Sequence, residues 1–169
     1  GKKVTHIEEL KESVSNYASN CAYKLRKQKS CATRVSVFIH TNPFRPTDKQ
    51  YKGFTSFVLD SPTNDSMEII RFALKGLEKI YRPGYTYKKA GIIVGDIVPQ
   101  QQQHLSLFDS IDRQKQQSVM SALDKINDRM GRDKVRLAVQ GQARQWKMKR
   151  EKLSPSYSTR IDEALTVYL

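Results

Sequence analysis

His6, His40 and His104 are the first residues to test for chemistry, because a neutral imidazole can relay protons or ligate a transition metal. They are far apart and form no HxH or HxxxH pair, so each reads as a satisfied or solvated histidine. Cys21 and Cys31 are the only cysteines and lie ten positions apart with no CxxC or Cys/His cluster. That spacing suggests neither a zinc site nor a disulfide framework, and it reads as two reduced thiols. Asp162 and Glu163 form an adjacent acidic pair of a type that holds two magnesium ions in some polymerases, but no third carboxylate on a strand joins them. There is no GxxxxGK[ST] phosphate loop and no GxSxG elbow. Gly91 and Gly95 interrupt an apolar strand pattern, where a close backbone approach or a bulge is the expected reason. No catalytic centre and no metal or cofactor site is expected in this chain.

The cations say more. Lys and Arg number 30 against 17 Asp and Glu, a formal charge of +13, which is the balance of a polyanion binder. The excess is +8 over residues 1–98 and +5 over residues 99–169, so it is not one basic tail on a neutral domain. Lys2, Lys3, Arg34, Lys52, Lys88 and Lys89 fall on or beside expected strands, and Arg45 and Lys49 sit in a neighbouring loop. Such an array contacts phosphates along a duplex without reading bases. A solvated charged face is the alternative. The strands lack the aromatic signature of an RNA-recognition motif, which disfavours base stacking on single-stranded RNA.

The elements that would position these residues follow from periodicity. Thr5 and Glu8 fit a capping box, and Ile7, Leu10, Val14, Tyr17, Cys21 and Leu25 recur on one face of a helix ending in a basic run. Arg34 to His40 alternates as a half-buried strand, with Val35, Val37 and Ile39 inward. Pro43 and Pro46 break the next connection. Phe54 to Leu59 gives a second strand, closed by Asp60-Ser61-Pro62. Asp65 caps a second helix with Glu68 completing the box, through Ile69, Phe72, Ala73, Leu77 and Ile80, stopping before Arg82-Pro83-Gly84. Residues 85–98 supply a strand around Ile92, Ile93, Val94, Ile97 and Val98. If residues 1–4 pair as a first strand, the order is βαββαβ. The fold class is then α+β, a ferredoxin-like arrangement with two helices on one face of a four-stranded antiparallel sheet.

Pro99 and the glutamine run Gln100 to Gln103 read as a linker, which ends a domain at residue 98. Residues 114–130 form a further helix through Val119, Leu123, Ile126 and Met130, stopped by Gly131. Val135 to Val139 reads as a strand. The polar and basic remainder, with Trp146, Met148, Leu153 and Tyr157 as anchors, has no assigned fold. The organisation is 1–98, a linker 99–113, and an appendage 114–169. Within the linker, Gln103-His104-Leu105-Ser106-Leu107-Phe108-Asp109 places three large apolar residues in polar surroundings. Two readings stay open: an anchor peptide for a partner's hydrophobic groove, or residues that pack back on their own domain.

With "YKKAGIIVGDI" at 87–97, "LSLFD" at 105–109 and "QWKMKREKLSPSYSTR" at 145–160, the whole chain resembles the C-terminal part of Y-family translesion DNA polymerases of the UmuC type, the catalytic subunit of bacterial DNA polymerase V. The resemblance implies that residues 1–98 are a little finger, whose sheet lies in the major groove of primer-template DNA. It implies that Gln103, Leu105, Leu107 and Phe108, with Ser106 between them, dock on the β sliding clamp. His104 departs from the shorter QLxLF form by separating glutamine from leucine. The region after 113 resembles a small C-terminal domain of unknown function. The palm, with its magnesium-binding carboxylates, would precede residue 1, which removes Asp162 and Glu163 from consideration. UmuD′ and RecA are implied partners with no assignable contact residues.

The expected function is therefore that of a non-catalytic, DNA-binding and clamp-docking piece of an error-prone polymerase acting in SOS mutagenesis. The competing class is a stand-alone RNA-binding module of the same fold. No run approaches the roughly 18 apolar residues of a membrane span, and no targeting peptide is visible, so a bacterial cytoplasmic, nucleoid-associated location is expected.

Overall fold

A computed structural model of the chain describes residues 3–102, 112–141 and Ser156. Its elements are α1 (Ile7–Lys27), β1 (Ser30–Thr41), β2 (Lys52–Thr63), α2 (Ser66–Ile80), β3 (Tyr87–Pro99) and α3 (Arg113–Met130), with short 3-10 turns at Gln100–Gln102 and Ala138–Gln140. The strands form one antiparallel sheet in the order β2-β1-β3. The architecture is α+β, as the sequence predicts, and its elements follow the predicted order along the chain. The fourth strand is reduced to a single bridge, Val4 to Tyr87, in which each residue donates to the other's carbonyl. Among the described residues the sheet therefore has three strands.

Val35, Val37 and Ile39 of β1 are fully buried under the two helices, and they meet Ile69, Ala73 and Leu77 of α2 and Val14, Ala18 and Ala22 of α1. Each large aliphatic side chain sealed in this way contributes roughly 1.5–3 kcal/mol relative to exposure. The face that α1 buries is rotated from the predicted one. Ala18 and Ala22 carry it, whereas Tyr17 and Cys21 are half-buried beside Ala90 and Ile92. Gly76 lets α2 settle on the sheet, since a Cβ there would lie 3.0–3.2 Å from side-chain atoms of Thr55, Phe57 and Val37.

Four local expectations are corrected. The cap of α1 is His6 without a side-chain bond, because the Thr5 carbonyl is held by the Tyr81 hydroxyl at 2.8 Å. β2 runs on through Asp60-Ser61-Pro62. It is an edge strand, so a proline's missing N–H costs no ladder bond, and a bulge between Val58 and Thr63 absorbs the bend. The Asp65 carboxylate does accept from the Glu68 N–H at 2.9 Å, but the Glu68 side chain turns to Thr63 and Arg113 instead of closing a box. Val135 to Val139 is not a strand. The Asn127 amide group brackets Val135, bonding both its N–H and its carbonyl at 2.9 Å, and a 3-10 turn follows.

α3 lies against α1 through polar groups. The Arg26 guanidinium grips both carboxylate oxygens of Asp124 at 2.7 and 2.8 Å and also donates to the Asn64 carbonyl and the Ser66 hydroxyl. Tyr23 donates to Asp128, Arg132 to Asn20, and Asn16 to the Gln140 carbonyl. Met120 is the one residue of α3 that is fully buried.

Candidate nucleic-acid interface

The face of the sheet turned away from the helices is open, and its register sets the rows of side chains upon it. Successive rows across β2, β1 and β3 are Lys52-His40-Lys89, Phe54-Phe38-Gly91, Ser56-Ser36-Ile93 and Val58-Arg34-Gly95. Phe54, Val58 and Ile93 are each more than half exposed, so large apolar side chains stand open on this face beside the polar ones. The Ser36 and Ser56 hydroxyls bond to one another at 2.9 Å in its middle.

The cations are not spread along the face. Lys52 and Lys89 flank His40 at one end, where the β1–β2 connection carrying Arg45 and Lys49 also emerges. Lys3 reaches the same connection through Asp48, at 3.5 Å. Lys88 alternates to the other face of β3. Arg34 stands apart at the far end of the face, held by Asp96 at 2.7 Å, a residue in the left-handed backbone region at φ 50°. The structure thus brings together Lys52, Lys89, Arg45, Lys49 and Lys3, and separates Arg34 from them. Among the described residues, no carboxylate pairs with Lys52, Lys89, Arg45 or Lys49.

Register reveals an aromatic group beside these cations that was not recognised in sequence. The Phe38 ring packs over Gly91, where a Cβ would lie only 2.4 Å from the ring. Lys89 sits 5.8 Å from the centre of that ring, and the His40 ring lies 5.2 Å from it. Gly91 is therefore a close-approach glycine, as its position in a strand predicts, while a Cβ at Gly95 would have nothing nearer than 3.9 Å. Alternation marked Phe38 as facing away from the core, but nothing in the sequence marked Phe54 as its neighbour.

The other chemically competent residues do not assemble. His6 and His40 lie in different elements, and burial raises the thiols of both Cys21 and Cys31, so neither supplies a ready thiolate. Lys2, the segment Gln103, His104, Leu105, Ser106, Leu107 and Phe108, the anchors from Trp146 to Tyr157, and the pair Asp162 and Glu163 lie outside the described residues. The segment leaves the described fold at the end of the sheet opposite Lys52 and Lys89. There Gln100 donates to the Lys29 carbonyl, and Arg113, on the returning chain, is bonded to Glu68. Gln100 and Arg113 line one cleft with Thr63, Asn64 and Asp65. No described helix is long and apolar enough to cross a membrane.

Comparison with known proteins bears on the whole chain. Residues 1–107 match the impB/mucB/samB family C-terminal domain, and residues 117–167 match a domain of unknown function, DUF4113. The chain is 39% identical over 168 residues to the protein UmuC of Salmonella typhimurium, covering 99% of this chain and 40% of that protein. It is 37% identical over 161 residues to SamB of Salmonella typhimurium (95% of this chain, 38% of that protein). It is 34% identical over 160 residues to MucB of Escherichia coli (94% and 37%). It spans about two fifths of the length of these relatives. An open sheet face with unpaired cations gathered at one end thus sits within a sequence alike from end to end to these proteins: the chain belongs to the impB/mucB/samB family and corresponds to the C-terminal region that UmuC, SamB and MucB share.

Proposed function

We propose that this chain is the DNA-binding and sliding-clamp-docking region of an error-prone Y-family translesion DNA polymerase that acts in SOS mutagenesis and damage tolerance. Membership of the family supports the polymerase setting. The observation that carries the DNA reading is the clustering of Lys52, Lys89, Lys49 and Arg45, all without carboxylate partners among the described residues, at one end of the open face. Such groups bind phosphates and release counterions irrespective of base sequence, which suits a template distorted by damage. Lys3 joins the same end of the sheet through Asp48, and Lys2, its neighbour in sequence, is proposed to act with it. Arg34 serves this contact only by exchanging Asp96 for a phosphate.

Gln103, Leu105, Ser106, Leu107 and Phe108 supply the clamp-docking peptide, with the leucines and phenylalanine as anchors. The ten residue steps of β1 from Ser30 to His40, at about 3.4 Å each, put about 34 Å between the proposed DNA grip and the end of β3 that leads to this segment. The two attachments engage different surfaces, and together they make rebinding of a stalled primer end intramolecular. Chemistry and its magnesium ions belong to a palm outside this chain. UmuD′ and RecA are proposed as further partners without assigned residues, and the bacterial cytoplasm, at the nucleoid, as the place of action.

Calorimetry of the chain and its Leu107→Ala/Phe108→Ala variant against purified β clamp tests the docking claim, with binding expected only for the unaltered chain. Anisotropy titration of a blunt DNA duplex with the chain and with Lys52→Gln/Lys89→Gln tests the grip, with at least a tenfold loss expected. Phe38, Phe54 and His40 are the observation favouring the second reading, base stacking on single-stranded RNA. A loss of RNA binding in Phe54→Ala with no duplex affinity in the unaltered chain would establish it instead.

A further inference from the structure

The opposite face of the molecule holds a second cation array. Arg71, Lys75 and Lys79 recur every four residues along α2, all exposed, and Arg82 follows just beyond the helix end. Four residues of helix rise about 6 Å, so the three helical cations form a single row about 12 Å long on one side. None of the four has a carboxylate partner among the described residues. Three lie over aromatic rings instead: Arg71 is 5.3 Å from the centre of Phe72, Lys75 is 5.8 Å from Phe57, and Arg82 is 4.7 Å from Tyr51. All three rings are part-exposed. Phe57 and Tyr51 belong to or adjoin β2, whose outer edge has no strand beside it among the described residues.

A solvated charged face accounts for unpaired lysines, but it does not account for a one-sided row seated on aromatic rings. Cations that track a backbone, interleaved with planar rings on which bases can stack, are the two components of sites for single-stranded nucleic acid. One row on a convex helix offers a single phosphate track, whereas a duplex presents two strands across a groove. The row is also continuous with the proposed grip, since Arg82 rests on Tyr51, immediately before Lys52 and after the connection bearing Arg45 and Lys49.

We infer that Arg71, Lys75, Lys79 and Arg82, with Phe72, Phe57 and Tyr51 beneath them, form a second site that takes a single DNA strand as it passes from the open face around the β2 edge. The inference rests on the DNA-binding reading of the chain but uses none of the residues of the first grip. It gives the domain two separable contacts, one for the duplex and one for the unpaired strand.

The test is a salt titration of anisotropy with labelled oligo-dT and, separately, a blunt duplex, using the chain, Arg71→Gln/Lys75→Gln/Lys79→Gln, and Lys52→Gln/Lys89→Gln. The three α2 residues are exposed, so circular dichroism is expected to show an unchanged fold. Each phosphate contact to a single strand contributes about 0.7 to the slope of log K against log salt, so the triple variant is expected to lose about 2 from that slope. Its affinity for oligo-dT is expected to fall at least tenfold, with duplex affinity changed less than twofold, while the double variant shows the reverse. An unaltered oligo-dT slope in the triple variant overturns the inference, as does an equal loss on both ligands, which marks a general charge effect. Retained strand binding together with loss of a poly-glutamate peptide would make the row an acidic-peptide site and also overturn it. Failure of the first grip alone appears independently, as unaltered duplex binding by the double variant.

Discussion

Replacing Arg26 with glutamine is expected to release α3 from the rest of the fold without unfolding the sheet. The guanidinium is only 11% exposed and Asp124 only 18%, and the pair is bidentate at 2.7 and 2.8 Å. Hydrogen bonds to a charged group contribute about 1.5–3 kcal/mol, and removing one member of a buried pair costs about 3–5 kcal/mol because the other is left uncompensated. Asp124 keeps some solvent, which moves the expectation down to about 2–3 kcal/mol. What remains to hold the helix is Met120, its one fully buried residue, which contributes on the order of 2 kcal/mol, with the polar contacts of Arg113 to Glu68 and Tyr23 to Asp128. A shift of 2–3 kcal/mol multiplies the undocked population by about 30 to 140. Hydrogen exchange reads this directly: amides of α3 in the variant should exchange faster by that factor, while those of Val35 to Ile39 in β1 keep their protection. A double-mutant cycle with Asp124→Asn should give a coupling of at least about 1 kcal/mol. Unchanged exchange in α3, or equal acceleration in β1, would refute the claim that this polar clasp holds the helix.

Three further outcomes follow from the geometry. The Tyr87 hydroxyl, on a side chain that is fully buried, accepts from the Arg82 N–H at 2.9 Å and donates to its carbonyl at 2.8 Å. Tyr87→Phe should therefore cost about 1–3 kcal/mol in urea unfolding with an unchanged m value, and a cost under 0.5 kcal/mol would contradict it. Burial, the largest influence on Asp65, raises its carboxyl above the ordinary value, so between the two values the folded state holds a proton that the unfolded chain has released. Its contribution is then lost as pH rises from the ordinary carboxylate value through the raised one. Asp65→Asn keeps a capping oxygen and has no charge to bury, so it should be neutral or stabilising at pH 7 and should flatten that slope; a loss above about 1 kcal/mol at pH 7 would count against this. Gly91→Ala would drive its Cβ into Phe38 and should cost about 1 kcal/mol, a penalty that should vanish in a Phe38→Ala background. An equal cost in both backgrounds would show that the glycine serves its own strand.

The fold was legible wherever one local signal decided the outcome. Alternation through Val35, Val37 and Ile39 gave β1, and Asp65 followed by an apolar 3.6-residue period gave α2, because burial and capping act over a single turn or pleat. What escaped depends on partners remote in the chain. The run through Pro62 is tolerated only because β2 is an edge, and the strand-like Val135 to Val139 is reassigned by the Asn127 side chain. The same holds for the interface. Lys52 and Lys89 were visible as cations near strands, but their convergence on His40 and the separation of Arg34 are facts of register. The row on α2 was not recognised in sequence, because its seating on Phe72, Phe57 and Tyr51 is a product of packing.

The clasp between α1 and α3 also bears on how such a chain can be divided. The two family matches meet between residues 107 and 117, which invites reading them as separate modules. The energetics cut across that seam. Asn16, Arg26 and Glu68 lie in the first match, while Gln140 and Asp124 in the second, with Arg113 between the two, satisfy them. A truncation at the seam strands a guanidinium and a carboxylate, both largely sheltered from solvent, so the described parts of the two matches are energetically coupled. Swapping this appendage between relatives would have to carry the matching charges on α1 and α2 along with it.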